Sequence, residues 1–305
     1  MTSQTDRYVD LQVNGYAGLD FNSEHYTDED LAKLCQRLHS DGVGQILATI
    51  ITAPLPKMLA RIARVASMIT SDASIAAMVR GIHVEGPFIS PVPGYVGAHP
   101  AHAVLPANVD VAKQLIESGQ GHVKLLTLAP ECDDRSLVTK WLSMQNILVA
   151  GGHSNASLAL LQSAIDAGMR LFTHLGNGCP ATLPRHDNII QRVLSVAERI
   201  SISFIADGHH IPAFALKNYL SMVPATNVII VTDAISAAGL GPGRYQLSDQ
   251  VVEVDEAGAA WSADRTHFAG CAATMPTMVS VLESIGYTRA TIKQWTCENP
   301  RRLLG

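Results

Sequence analysis

The stretch AMVRGIHVEGPFIS, residues 77–90, decides how this chain is read. Its first nine residues are mostly apolar and rich in valine and isoleucine, as expected of a strand covered on both faces. The run ends on Glu85, and Gly86-Pro87 stops it at once. A carboxylate in such a place loses much of its hydration, and an unpaired buried charge is costly. A buried glutamate therefore needs an arginine, a hydrogen-bond network or a metal ion opposite it. The plain alternative is a strand-end glutamate in solvent, and the surrounding sequence has to choose between the two.

Outward from this strand the same kind of run recurs. YVDLQVN (8–14), GQILATI (44–50), HVKLLTLA (122–129), NILVAGG (146–152), RLFTH (170–174), ISISFIA (200–206) and NVIIVTDA (227–234) are short and rich in β-branched residues. Helix-like segments lie between them. One spans about 28–41, and the next carries Leu55, Met58, Leu59, Ile62, Val65, Ala66 and Ile69 at spacings of three and four. That spacing gives a single apolar helix face. Eight successive β/α units predict a (β/α)8 barrel of the TIM type in one domain, 1–305. A doubly wound open sheet is the other α/β arrangement, but no GxGxxG follows the first strand. Two segments break the rhythm: a Pro/Gly-rich loop at 86–106, too long to be a mere connection, and a β-hairpin excursion at 242–268.

Composition narrows the function classes. The 305 residues are 47% hydrophobic and only 16% charged, which suits an internal sheet covered by helices. A net charge of −5 with no basic run argues against a nucleic-acid surface. The cysteines at 35, 132, 179, 271 and 297 are odd in number and lack CxxC spacing, so reduced thiols are expected, not disulfides or thiolate zinc. The N-terminus is polar and no apolar run reaches membrane-spanning length, so a cytoplasmic protein without a membrane partner is expected.

Unusual polar residues then fall where the strands end. Glu85 ends the third, His153 follows the fifth, His174 ends the sixth, His209 and His210 follow the seventh, and Asp233 ends the eighth. Barrels of this kind build their sites from those ends. Two imidazoles and a carboxylate suit Zn²⁺ or Fe²⁺ with a position left open, and Asp233 adds a group able to move a proton. Glu85 then has its partner.

At these residues the sequence resembles the amidohydrolase superfamily and, within it, the N-acetylglucosamine-6-phosphate deacetylase family. The likeness runs in order through DLQVNG (10–15), HVEGPF (83–88), GAHP (97–100), GHSNA (152–156), THLGN (173–177), DGHH (207–210), TDA (232–234) and AGCAATM (269–275). The resemblance implies that Glu85, His153 and His174 are metal ligands and Asp233 the catalytic aspartate. Gln12 and Asn14 stand where many superfamily members carry a second metal's histidines, so one divalent ion per chain, Zn or Fe, is expected. His99 matches a histidine on the substrate's acetyl carbonyl. Asn177, Gly178, Arg185 and His210 match residues around the sugar phosphate, and Phe268, Ala269 and Gly270 a stretch lining the substrate; Gln12 is also counted at that site. Arg185 and His210 would reach a neighbouring subunit's site, which implies a homodimer.

Departures from the family pattern are local. The chain starts almost at its first strand and ends at NPRRLLG, so the small β-sandwich that the family's two ends form is expected to be missing or minimal. Gly176, Gly178 and Cys179 replace larger or different residues, and His186-Asp187-Asn188 replaces Glu-Pro-Gly. These changes are expected to touch the sugar and phosphate loop and to spare the metal site. The resulting expectation is hydrolysis of the N-acetyl group of N-acetylglucosamine 6-phosphate or a close amino sugar phosphate. Two alternatives stay open: a different N-acyl or cyclic amide substrate, and a catalytically silent small-molecule-binding homologue.

Overall fold

The computed structural model describes residues 6–247, 250–262, 265, 268 and 270–305. Eight parallel strands pair in chain order: β1 (Tyr8–Val13), β2 (Val43–Ile51), β3 (Val79–Glu85), β4 (Val123–Leu128), β5 (Leu148–Gly151), β6 (Met169–Phe172), β7 (Ser201–Ile205) and β8 (Val228–Val231). Their residues are buried almost throughout, which explains the near-continuous apolar runs in the sequence. Residues 77–78 do not join β3. Asp72 caps the backbone N–H groups of Ser74 and Ile75, so a short helix, Ala73–Met78, takes them first.

The helices cover the outside of this sheet. Asp28–Ser40 (α1) starts at a capping box between Thr27 and Asp30 and buries Leu31, Leu34 and Leu38 on one face. Leu55–Ser71 (α2) turns Met58, Ile62, Val65 and Ile69 inward. Each such side chain contributes about 1.5–3 kcal/mol by leaving water.

The barrel closes between its first and last strands. One bridge pairs Val13 with Ala234, and the N–H groups of Asn14 and Gly15 both donate to the Ala234 carbonyl, at 2.8 and 3.0 Å. Side chains do the rest. Buried Asp10 on β1 accepts from the Thr232 hydroxyl at 2.5 Å and from the Thr232 N–H at 3.2 Å. Gly15 is required here, because a Cβ would stand 2.3 Å from the Leu19 carbonyl oxygen.

After β8 the chain forms a three-stranded antiparallel sheet, one strand more than a hairpin: β9 (Gly243–Leu247), β10 (Gln250–Val254) and β11 (Ala260–Ser262). Val252, Val254 and Ala260 pack there on Ile235 and Ala237, so the excursion rests on the rim beside β8. Among the described residues the only other sheet is a two-residue ribbon, Gly15–Tyr16 with Leu19–Asp20. No helix among them is long and apolar enough to cross a membrane.

Candidate active site

Four strand ends deliver the central residues. Glu85 is the last residue of β3, while His153, His174 and Asp233 each lie two positions beyond β5, β6 and β8. All three of the latter are left-handed, with φ of 50°, 30° and 51°. For residues with a Cβ this backbone costs on the order of 1–3 kcal/mol, and such strain gathers at functional sites. The abrupt turn after each strand brings the side chains together over the barrel mouth.

Their contacts are close. His174 Nε2 is 2.9 Å and His153 Nε2 3.3 Å from Glu85 Oε1. The His153 and His174 rings meet edge to face, with centroids 4.9 Å apart. His153 Nδ1 is 2.9 Å from the Tyr95 carbonyl, whose oxygen can only accept, so Nδ1 donates there and Nε2 faces Glu85. Donor atoms around a tetrahedral zinc lie about 3.3 Å apart, given metal–nitrogen bonds near 2.05 Å. The separations of Glu85 from His153 and from His174 suit donors around one ion. His99 stands closer to this group than a purely substrate-facing role suggests: its Nε2 is 3.9 Å from Glu85 Oε2. Glu85, His99 and His153 present donor atoms all within 4.8 Å of one another.

Charge is finely set. Burial works to raise the Glu85 carboxyl, but the hydrogen bonds with His153 and His174 outweigh it and hold it well below its ordinary range. Asp233 goes the other way. Burial first, then the Glu85 charge, push it up to about 6, although Asn14 Nδ2 donates to its Oδ1 at 2.7 Å. His99 is pushed down to about 3, chiefly by burial, which favours the neutral ring. The two carboxyls are thus shifted in opposite directions by their surroundings.

The same cavity, about 270 Å³, is lined by His99, Asn177, Gly178, His210, Phe268 and Gly270 along with Glu85, His153, His174 and Asp233. The 86–106 loop enters through Gly97, Ala98 and His99. Other expected residues lie elsewhere. Gln12 is behind Glu85 and not on the cavity wall; its amide donates to Glu85 Oε1 at 3.0 Å and accepts from Thr173 Oγ1 at 2.7 Å. Both ends of that side chain are already engaged. Arg185 is exposed and does not line its own chain's cavity. His210 does line this chain's own cavity. Its neighbour His209 turns to the Ala257 carbonyl on the excursion. Ala269 falls outside the described residues.

The loop departures are not confined to the sugar side either. Gly178, at φ 61°, leaves room for the His153 ring: a Cβ would stand 2.9 Å from His153 Nδ1. Nothing in the sequence signalled that Asn14 would hold Asp233 or that Tyr95 would hold His153. Asp207, which holds His210, did carry a signal, since it opens the DGHH stretch.

An eight-stranded parallel barrel with imidazoles and carboxylates gathered at its strand ends defines the class: a (β/α)8 barrel of the amidohydrolase kind. No protein-family model matches the sequence. Individual relatives do. The chain is 32% identical to N-acetylglucosamine-6-phosphate deacetylase of Bos taurus over 98% of its own length and 73% of that protein's. It is 30% identical to N-acetylgalactosamine-6-phosphate deacetylase of Escherichia coli O157:H7, over 98% and 77%. Among solved structures, a mutant N-acetyl-D-glucosamine-6-phosphate deacetylase from Mycobacterium smegmatis, in complex with N-acetyl-D-glucosamine-6-phosphate, superposes with a TM-score of 0.88 at 26% identity, covering 98% of this chain and 77% of that one. The Thermotoga maritima enzyme gives 0.84 at 26% identity, over 98% and 78%. The chain belongs to the N-acetylglucosamine-6-phosphate deacetylase family.

Proposed function

We propose that this protein hydrolyses the N-acetyl group of N-acetylglucosamine 6-phosphate, or of a close amino sugar phosphate, to acetate and the free amino sugar phosphate. The observation that carries the reading is the meeting of Glu85, His153, His174 and Asp233 in one cavity. The names of the relatives support the same chemistry, and the galactosamine enzyme among them keeps the sugar's identity open at the ring.

Glu85, His153 and His174 would hold one divalent ion, Zn²⁺ or Fe²⁺. Such an ion supplies Lewis acidity, polarising the amide carbonyl and making a water easier to deprotonate. Gln12 fixes Glu85, and the Tyr95 carbonyl fixes the His153 tautomer, as outer partners of ligands commonly do. Asp233 takes a proton from water as the oxygen attacks the acetyl carbon, then gives it to the nitrogen as the C–N bond breaks. Asn14 steadies the carboxyl that does this by donating to its Oδ1. Neutral His99 donates to the carbonyl oxygen as charge develops there.

Asn177, the Gly178 N–H and His210 receive the sugar phosphate. Arg185, exposed on its loop, serves the site of a second copy in a homodimer. The setting is cytoplasmic. Acetate release from N-acetylglucosamine and N-acetylgalactosamine, each with and without 6-phosphate, tests the reading, with elemental analysis alongside. Release only from phosphorylated sugars at about one ion per chain is expected. Turnover of an unrelated N-acyl or cyclic amide in preference to all four would overturn it.

A further inference from the structure

Asp207 follows β7 and is buried, yet nothing assigned so far to the reaction uses it. Its two oxygens do different work. Oδ1 accepts the backbone N–H groups of His209 and His210, both at 2.9 Å, and so holds the turn. Oδ2 lies 2.7 Å from His210 Nδ1 and 3.5 Å from the Cys271 thiol. Since a carboxylate oxygen accepts, Nδ1 and the thiol donate. With Nδ1 engaged, Nε2 is the nitrogen left for a ligand in the cavity that the ring lines. Phe268 flanks the ring from another side, with centroids 5.1 Å apart.

The arrangement links three parts of the rim. Cys271 pairs with Ala234, next to Asp233, and its carbonyl accepts from the Ile235 N–H at 3.0 Å. One carboxylate thus ties the β7 exit, the β8 exit and the substrate-lining stretch around His210.

We infer that Asp207 is a positioning residue for substrate recognition, holding His210 by Nδ1 so that Nε2 meets the sugar's phosphate, with the Cys271 thiol completing the carboxylate's shell. In the complex each ring nitrogen carries a proton, one given to Asp207 and one to a phosphate oxygen. Asp207 touches no substrate atom. The inference rests on the proposed phosphate-directed function, and the test separates the two.

Asp207→Asn is the informative change. Its carbonyl oxygen can keep both backbone N–H groups, so the turn survives, while its NH₂ cannot accept from His210 Nδ1. Steady-state kinetics on the metal-loaded full chain should show KM for N-acetylglucosamine 6-phosphate rising about tenfold, the lower end for losing a charge-assisted bond, with kcat within about twofold. KM for unphosphorylated N-acetylglucosamine should not move, and inhibition by inorganic phosphate should weaken in parallel. In a His210→Ala background, Asp207→Asn should add nothing further, because the two act as one unit. A purely structural Asp207 would instead raise KM equally for both sugars, or add its full effect on top of His210→Ala; either result overturns the positioning role. A wild-type protein indifferent to the phosphate overturns the functional reading itself, whatever Asp207 does.

Discussion

The two sides of the cavity are built on different principles. On one side Glu85, His153 and His174 are buried at rigid strand ends, with both imidazoles 2.9–3.3 Å from Glu85, and half-buried Asp233 is held by Asn14. On the other, residues 176–187 form a glycine-containing loop, half-buried at 176–180 and mostly exposed beyond, that carries Arg185 outward. The first side has little freedom, since parting Glu85 from its imidazoles would leave a buried charge unpaired. The second can change residues without disturbing the barrel, except at Gly178, which leaves room for the His153 ring. Under the proposed function, bond-breaking is invested in the scaffold and substrate choice in the loops.

The largest effect should come from the rigid side. Asp233→Asn keeps the side chain's shape but cannot take up a proton, so turnover should fall on the order of 10²- to 10⁴-fold while the ion is retained. Steady-state kinetics with elemental analysis of the same sample checks it, and near-normal kcat would remove Asp233 from the proton-transfer step.

Next comes the loop side. Arg185→Ala should raise KM for the phosphorylated sugar about ten- to a hundredfold and barely touch the unphosphorylated one. Mixing inactive Arg185→Ala and Asp233→Asn chains should restore activity at one site per dimer if the guanidinium is lent across subunits. Equal damage to both substrates would make Arg185 structural and blur the contrast between the two sides.

Gln12 tests how far the rigid side extends. Gln12→Leu removes the amide that steadies Glu85, and metal affinity should drop about tenfold, at the low end for outer partners of a ligand. A chelator competition read by elemental analysis measures it. If KM for substrate changes and metal affinity does not, Gln12 belongs with the substrate after all.

Asp10 should give the smallest effect. Burial, the first of its influences, raises its carboxyl from 3.8 to about 7 despite the Thr232 hydrogen bonds. The folded state therefore binds the extra proton between these values, so Asp10 makes stability fall as pH rises through that window. Denaturant unfolding of Asp10→Asn at several pH values between about 4 and 7 should show a flatter pH dependence than the wild type. An unchanged slope would mean that the carboxyl titrates normally.

The barrel was legible because parallel strands covered on both faces must be short and β-branched, and because helices such as α2 announce one apolar face. What misled was local competition. Ala77 and Met78 read as strand but close a capped helix, and Ala260–Ser262 adds a strand that a hairpin pattern does not contain. Glu85, His153, His174 and Asp233 were legible as polar residues at strand ends. The company they keep was not. Asn14 beside Asp233, Gly178 against the His153 ring and His210 in its own chain's cavity depend on loop paths that no periodicity encodes. Gln12 was read as the remnant of a metal pair, and only its two bonds reveal an orienting role.

The closure of the barrel has a further consequence for how the molecule comes into being. Asp10 and Thr232 are 222 residues apart, and Asp233 hangs on the segment they join. Bringing together ends so distant is entropically expensive, and contacts of this kind form late. A chain emerging from the ribosome has Glu85, His153 and His174 in hand while its first strand, paired with the second, still lacks a neighbour on its other edge. Until the eighth arrives, an open sheet edge and an unfinished reaction centre are the same defect, repaired by one event.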